Sequence, residues 1–180
     1  MQKSVLCLGM IMLWPAIATA DKLHPMDIRL GAWESTTTGG VSGAEIPAEV
    51  LDRLTPEQRA KMESYMKTQN AMGPQTHTHK SCMTKESVEK DLQWDDTART
   101  HCKRTIRAST SRTQDLHEEC SDERRKSSSD IHFQATDDSH VNGTVHSVIT
   151  QAGTDHPMTM NMTIHAHWLS SSCGDIKPGS

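Results

Sequence analysis

Residues 159 to 168 read TMNMTIHAHW, and the way this stretch divides decides the fold. In extended backbone, alternate side chains share a face. Met160, Met162, Ile164, Ala166 and Trp168, with Met158 before them, fall on one side, and Thr159, Asn161, Thr163, His165 and His167 on the other. A strand with one apolar and one polar face belongs to an antiparallel sheet that covers a core on one side only. The same parity separates the methionines from the histidines. A soft Met-plus-His copper site on this strand is therefore disfavoured.

Working outward, THTHKSCMT, HCKRTIRASTSR, DLHEECS, SDIHFQATD and GTVHSVIT predict further strands between polar turns. Asn142-Gly143 in DDSHVNG is expected to form a hairpin turn. MDIRLGAWESTTT predicts a first strand with Ile28, Leu30 and Ala32 on one face, Trp33 on the other, and a bulge or twist at Gly31. GGVSGAEIP is expected as a loop, KESVEKDL as a short helix or turn, and Arg124-Arg125-Lys126 as a solvated turn. One segment has helical signals throughout. Thr55 is placed as N-cap, Pro56 in the first turn and Gln58 to complete a capping box, which predicts a helix over 56–70 stopped by Gly73-Pro74. Met62, Tyr65, Met66 and Gln69 share its one packing stripe, with the methionines read as core. The fold class is mainly β: an antiparallel meander, forming a curved or barrel-like sheet, with one α-helix.

Residues 1–20 read as a signal peptide, with Lys3, an apolar run from Val5 to Trp14, Pro15 and the small residues Ala18-Thr19-Ala20 before the cleavage point. Residues 21–180 then form a single β-rich exported domain, periplasmic or secreted, with no transmembrane segment in the mature chain. With Lys3 gone, 18 basic side chains stand against 23 acidic ones, so the formal net charge falls from -4 to -5. That balance speaks against a nucleic-acid partner. The core is expected to be thin, because only 34% of the residues are hydrophobic and the aromatics after the leader are Trp33, Tyr65, Trp94, Phe133 and Trp168. Cys82, Cys102, Cys120 and Cys173 are spaced for disulfides rather than for a zinc-thiolate site, which needs close pairs. Four cysteines leave three connectivities open. Proximity around one turn favours Cys82 with Cys102, leaving Cys120 with Cys173.

The second His-x-His, His77 and His79, raises one metal reading. If its strand neighboured that of His165 and His167 in matching register, the four could hold zinc or copper. Nothing local sets that register, so a polar face without a cofactor is preferred. No nucleophile elbow, H-E-x-x-H or phosphate loop occurs, and His117-Glu118-Glu119 on a strand splits its acids between faces. No catalytic residues are assigned.

GAWE (31–34), LTPEQRAKME (54–63), SCMTKE (81–86) and WLSSSCGDIKP (168–178) together resemble the domain of unknown function 3617 family of small exported bacterial proteins. The resemblance implies a periplasmic or secreted β-rich protein and supplies no catalytic residues. The expectation is an exported, disulfide-stabilised protein that binds or interacts, its partner a small apolar ligand or another envelope protein. A metal-binding protein built on the His-x-His pairs is the alternative, and a hydrolytic enzyme without a recognisable motif the residual one.

Overall fold

The computed structural model describes residues 22–92 and 101–177; the expected leader and Trp94 lie outside the described residues. Seven strands, β1 (Gly31–Ser42), β2 (Gln75–Met83), β3 (Cys102–Ser109), β4 (Thr113–Ser121), β5 (Arg125–Ala135), β6 (His140–Gln151) and β7 (Met158–Ser170), form one sheet in the order β2-β1-β7-β6-β5-β4-β3. Every pairing is antiparallel. The meander expected from the period-2 segments is present, and the sheet is open, with β2 and β3 at its edges. Laid flat, β2 and β4 would stand about 24 Å apart at ~4.8 Å per strand. Yet Met83 at the end of β2 and Leu116 on β4 line a common cavity, so the sheet is strongly curved.

Side-chain parity runs through the whole sheet. One transverse row carries Leu116, Ile131, Val145 and Met162, and the next carries Phe133, Gly143 and Ile164. Trp33, Ala135 and Val141 form the buried centre, with Met26, Ile28, Met83, Phe133, Ala166 and Trp168 packed around them. Gly143 has no side chain for a spatial reason: a Cβ there would lie 2.6 Å from the Phe133 ring. Asn142-Gly143 is thus inside β6, and the hairpin turn expected there is displaced to 136–139. Asp137 wins the turn because its Oδ1 accepts both the backbone N–H (2.7 Å) and the hydroxyl (2.8 Å) of Ser139.

Other boundaries shift for similar reasons. Gly39-Gly40-Val41-Ser42, expected as loop, continue β1 because each pairs with β7. Strand β1 begins at Gly31, so Ile28 reaches the core from the preceding segment while Leu30 is exposed. The expected irregularity is there: the β1–β7 register shifts between Ala32 and Trp33, beside Gly31 at φ +124°. Trp33, 2% exposed, stands opposite Trp168 on the apolar face that Ser35 and Thr37 continue, and sits in the core. Arg125 and Lys126 start β5 rather than a turn, because Asp122 Oδ1 caps the loop ahead of them by accepting the Arg124 and Arg125 amides.

Three helices are described: α1 (Ala48–Leu51), α2 (Pro56–Ala71) and α3 (Lys85–Leu92). The capping box of α2 is formed, with Thr55 N–H donating to Gln58 Oε1 (3.0 Å) and Gln58 N–H to Thr55 Oγ1 (3.3 Å). Its methionine stripe is not core, however: Met62 and Tyr65 are exposed and Met66 is half-buried. Helix α3 repeats the capping logic with Thr84 and Ser87.

The disulfides are Cys82–Cys173 and Cys102–Cys120, which corrects the pairing favoured by proximity around a turn. Cys102 and Cys120 are direct cross-strand partners in the β3–β4 hairpin. Cys82 and Cys102 lie on β2 and β3, the opposite edges of the sheet, with α3 between them in the chain. Cys82 instead meets the segment that follows β7. In the loop-entropy picture the 18-residue and 91-residue separations stabilise by about 3 and about 4.6 kcal/mol.

Candidate functional site

The apolar face of the curved sheet is roofed on one side by residues 23–30 and by α3. Three backbone amides hold this strap across the sheet: His24 N–H donates to Ser109 Oγ (2.7 Å), Asp27 N–H to Ser111 O (2.7 Å) and Arg29 N–H to Asp138 O (2.8 Å). The Arg29 guanidinium adds an ion pair to Asp138 at 2.9 Å and lies 5.0 Å from the Trp168 ring centroid. Between strap, helix and sheet lies a cavity of about 550 Å³. Leu23, Met26 and Ile28 line it from the strap, Val88 from α3, and Leu116, Ile131 and Phe133 from the sheet. Its polar lining residues are Lys85, Glu89, Arg104 and Gln114, with Lys85 Nζ 3.7 Å from Glu89 Oε1 on α3. Arg104 stands in the wall and donates to Glu118 at 3.0 Å, with both side chains largely buried, and Gln114 Nε2 is committed to His24 O at 2.9 Å. Such a cavity suits a mainly apolar molecule, with Arg104 and the Lys85–Glu89 pair at its wall to orient a polar end.

The four histidines of the His-x-His pairs do not converge. Strand β1 lies between β2 and β7. His77 and His79 stand opposite Thr37 and Ser35, which in turn face Ile164 and Ala166, so they project to the apolar-face side at the β2 edge. His165 and His167 stand opposite Thr36 and Glu34, on the other face. The register brings a threonine ladder, not a metal set, between them: Thr36 meets Thr78 at 3.0 Å and Thr38 meets Thr76 at 2.8 Å.

What parity within one strand could not reveal is the histidine content of the whole polar face. Cross-strand rows bring His117, His132, His140 and His146 to the face that carries His165 and His167. Most have a partner across the ladder or in the adjoining turn: His117 Nδ1 meets Asp130 Oδ1 (2.7 Å), His146 Nδ1 meets Asn161 Oδ1 (2.7 Å), His165 Nδ1 meets Asn142 Oδ1 (2.8 Å) and His140 Nδ1 meets Asp137 (3.0 Å). The hydrogen bond from His117 holds the Asp130 carboxyl below the usual carboxylate range, helped by the charge of Arg107 at 2.8 Å and opposed by slight desolvation. Asp137 lies well below that range, chiefly through the Ser139 hydroxyl and amide and then His140. Among the described residues the His, Cys, Asp and Glu donors already drawn together are those of Cys102, Glu118 and Cys120, and those sulfurs are joined to each other.

A strap-covered, open antiparallel meander with an apolar interior defines this as a β-sheet protein of the small-cavity kind. The family described as "Protein of unknown function (DUF3617)" matches residues 28–173, and the chain belongs to it. The match takes in all seven strands and all four half-cystines, with Cys173 as its last residue. No curated protein and no solved structure matches the chain. No helix among the described residues is long and apolar enough to cross a membrane.

Proposed function

We propose that the chain is an exported, non-catalytic binding protein that carries a small, mainly apolar ligand between its strap and the curved sheet. The observation that carries this reading is the cavity of about 550 Å³ walled by Met26, Ile28, Leu116, Ile131 and Phe133. Pockets for small molecules span roughly 300–1,000 Å³ and are lined in this way, with few polar groups. The leader-like residues 1–20 and the two disulfides support export into an oxidising compartment.

The test uses N-phenyl-1-naphthylamine, an uncharged apolar fluorophore. It is expected to bind the purified protein one to one with enhanced emission. Ile131→Trp and, from the opposite wall, Val88→Trp fill the cavity and should each abolish that binding while the far-ultraviolet spectrum is kept. A protein that leaves the probe dark, or folded variants that both bind it as the parent does, would refute the reading. Export is tested separately by the intact mass of protein recovered outside the cytoplasm, which should begin at Asp21.

A further inference from the structure

One transverse row of the polar face reads Lys80, Glu34, His167, His140 across β2, β1, β7 and β6, each residue the register partner of the next. From this row we infer a site for one borderline transition-metal dication of the zinc or copper(II) class, held by His140, His167 and Glu34. Two imidazoles and a carboxylate are the donor set such ions prefer.

Directly opposed residues of an antiparallel pair have Cβ atoms about 4.5–5.5 Å apart, within reach of a common ion for two imidazole rings. Two donors on a tetrahedral zinc, each ~2.0–2.1 Å from it, are separated by about 3.3 Å. His167 Nε2 stands 3.8 Å from Glu34 Oε1, so that pair needs little contraction. His140 is the better prepared ligand. Both oxygens of Asp137 lie 3.0 Å from its Nδ1, which leaves Nε2 for the ion and supplies the carboxylate that commonly orients a metal-bound imidazole. Asp137 is in turn held by Ser139, whose carbonyl accepts the Trp168 amide at 2.9 Å, and the next residue, Asp138, is tied to Arg29. The orienting group thus sits on a turn anchored to β7 and to the strap. His140 and His167 are about half exposed, so their rings can turn to close the set.

Lys80 makes the site distinctive. Its Nζ lies 3.9 Å from Glu34 Oε2, where its charge competes with a cation for the same carboxylate. Removing that charge should tighten metal binding, an outcome that adventitious coordination by scattered histidines does not produce.

The experiment is calorimetric titration of the untagged protein with zinc chloride, paired with melting in the presence and absence of chelator. One equivalent is expected to bind with a chelator-sensitive gain in melting temperature. His140→Gln and His167→Gln should each weaken binding at least ~10-fold, and Asp137→Asn, which removes no ligand but alters the group that orients the His140 ring, about 10-fold. Lys80→Gln should bind several-fold more tightly. His77→Gln with His79→Gln, at the edge and on the other face, should change nothing. All these positions are exposed, so chelated variants should melt with the parent; a variant that does not is replaced in the comparison by Glu34→Gln. Absence of zinc uptake, uptake indifferent to His140 and His167, or loss on replacing His77 and His79 would each overturn the assignment. It stands or falls independently of the cavity reading.

Discussion

The two faces of this sheet are built from the same strands by the same alternation, yet they are stabilised differently. On the concave face Trp33, Ala135 and Val141 are buried beneath the strap, and stability comes from apolar area and shape. On the polar face Thr36–Thr78, Thr38–Thr76, His146–Asn161 and His165–Asn142 pair side chain to side chain in solvent. Such exposed pairs contribute at most about 1 kcal/mol each. Buried side chains are costly to remove, while the exposed ladder is free to carry residue types chosen for something other than stability. That is why six histidines stand on the polar face while the apolar-lined cavity lies on the other.

The sharpest way to break this contrast is Trp33→Ala. The side chain is 2% exposed and its Nε1 donates to Arg29 O at 2.8 Å, so it anchors strap to sheet as well as filling the core. Its loss should lower stability by about 3–5 kcal/mol in chemical denaturation. A fall below about 1 kcal/mol would place it among surface changes and deny the concave face its role.

Neighbouring residues of one strand give the next test. Ile164, on the row of Phe133 and Gly143, is half-buried, so Ile164→Ala should cost about 2 kcal/mol, at the low end for core truncation. His165 beside it is exposed and bonded to Asn142; His165→Ala should cost no more than ~0.5 kcal/mol. Equal losses measured by urea melts would show β7 to be buried on both sides.

This pair also marks what could be read from the chain alone. The face of Ile164 against that of His165 is a local property with a period of two, and TMNMTIHAHW shows it without any neighbour. Capping is equally local, and Thr55 with Gln58 closed as expected. Register is not local. His77 and His79 could be set against His165 and His167 only by knowing that β1 intervenes, and Cys82 against Cys173 only by knowing that β2 and β3 are opposite edges. The cavity was foreseeable as a consequence of curvature, but its lining was not. Residues 26–30 of the strap fall in MDIRLGAWESTTT, which predicts a strand, and the placement of the strap depends on distant acceptors at Ser109, Ser111 and Asp138.

Helix α2 extends the comparison from two faces to two kinds of element. Thr55→Ala removes one half of the capping box, a change of roughly 1 kcal/mol for the helix itself. Because Met62 and Tyr65 are exposed, α2 is weakly bound to the sheet, and the loss should appear as faster amide exchange in 57–60 with the global midpoint hardly moved. A midpoint shift of the full size would mean that α2 and the sheet unfold as one unit.

The smallest expected effect concerns acid and the polar face alone. Asp130 is held below the usual carboxylate range by the hydrogen bond from His117 first and by Arg107 after it. A carboxyl whose value is depressed by folding adds stability that is fully present above its unfolded value near 4 and is lost as pH falls through the lower folded value. The loss should therefore begin only below about pH 4 and continue downward, with no slope from this group near neutrality. Asp130 is about half exposed, so solvent screens the interaction, and the amount at stake is ~0.5 kcal/mol or less. Asp130→Asn should flatten the acid limb of melting temperature against pH by that small amount while leaving apolar-probe binding untouched. If the same substitution changed binding in the cavity, the two faces would be coupled through the strand Asp130 shares with Ile131, and their independence would have to be given up.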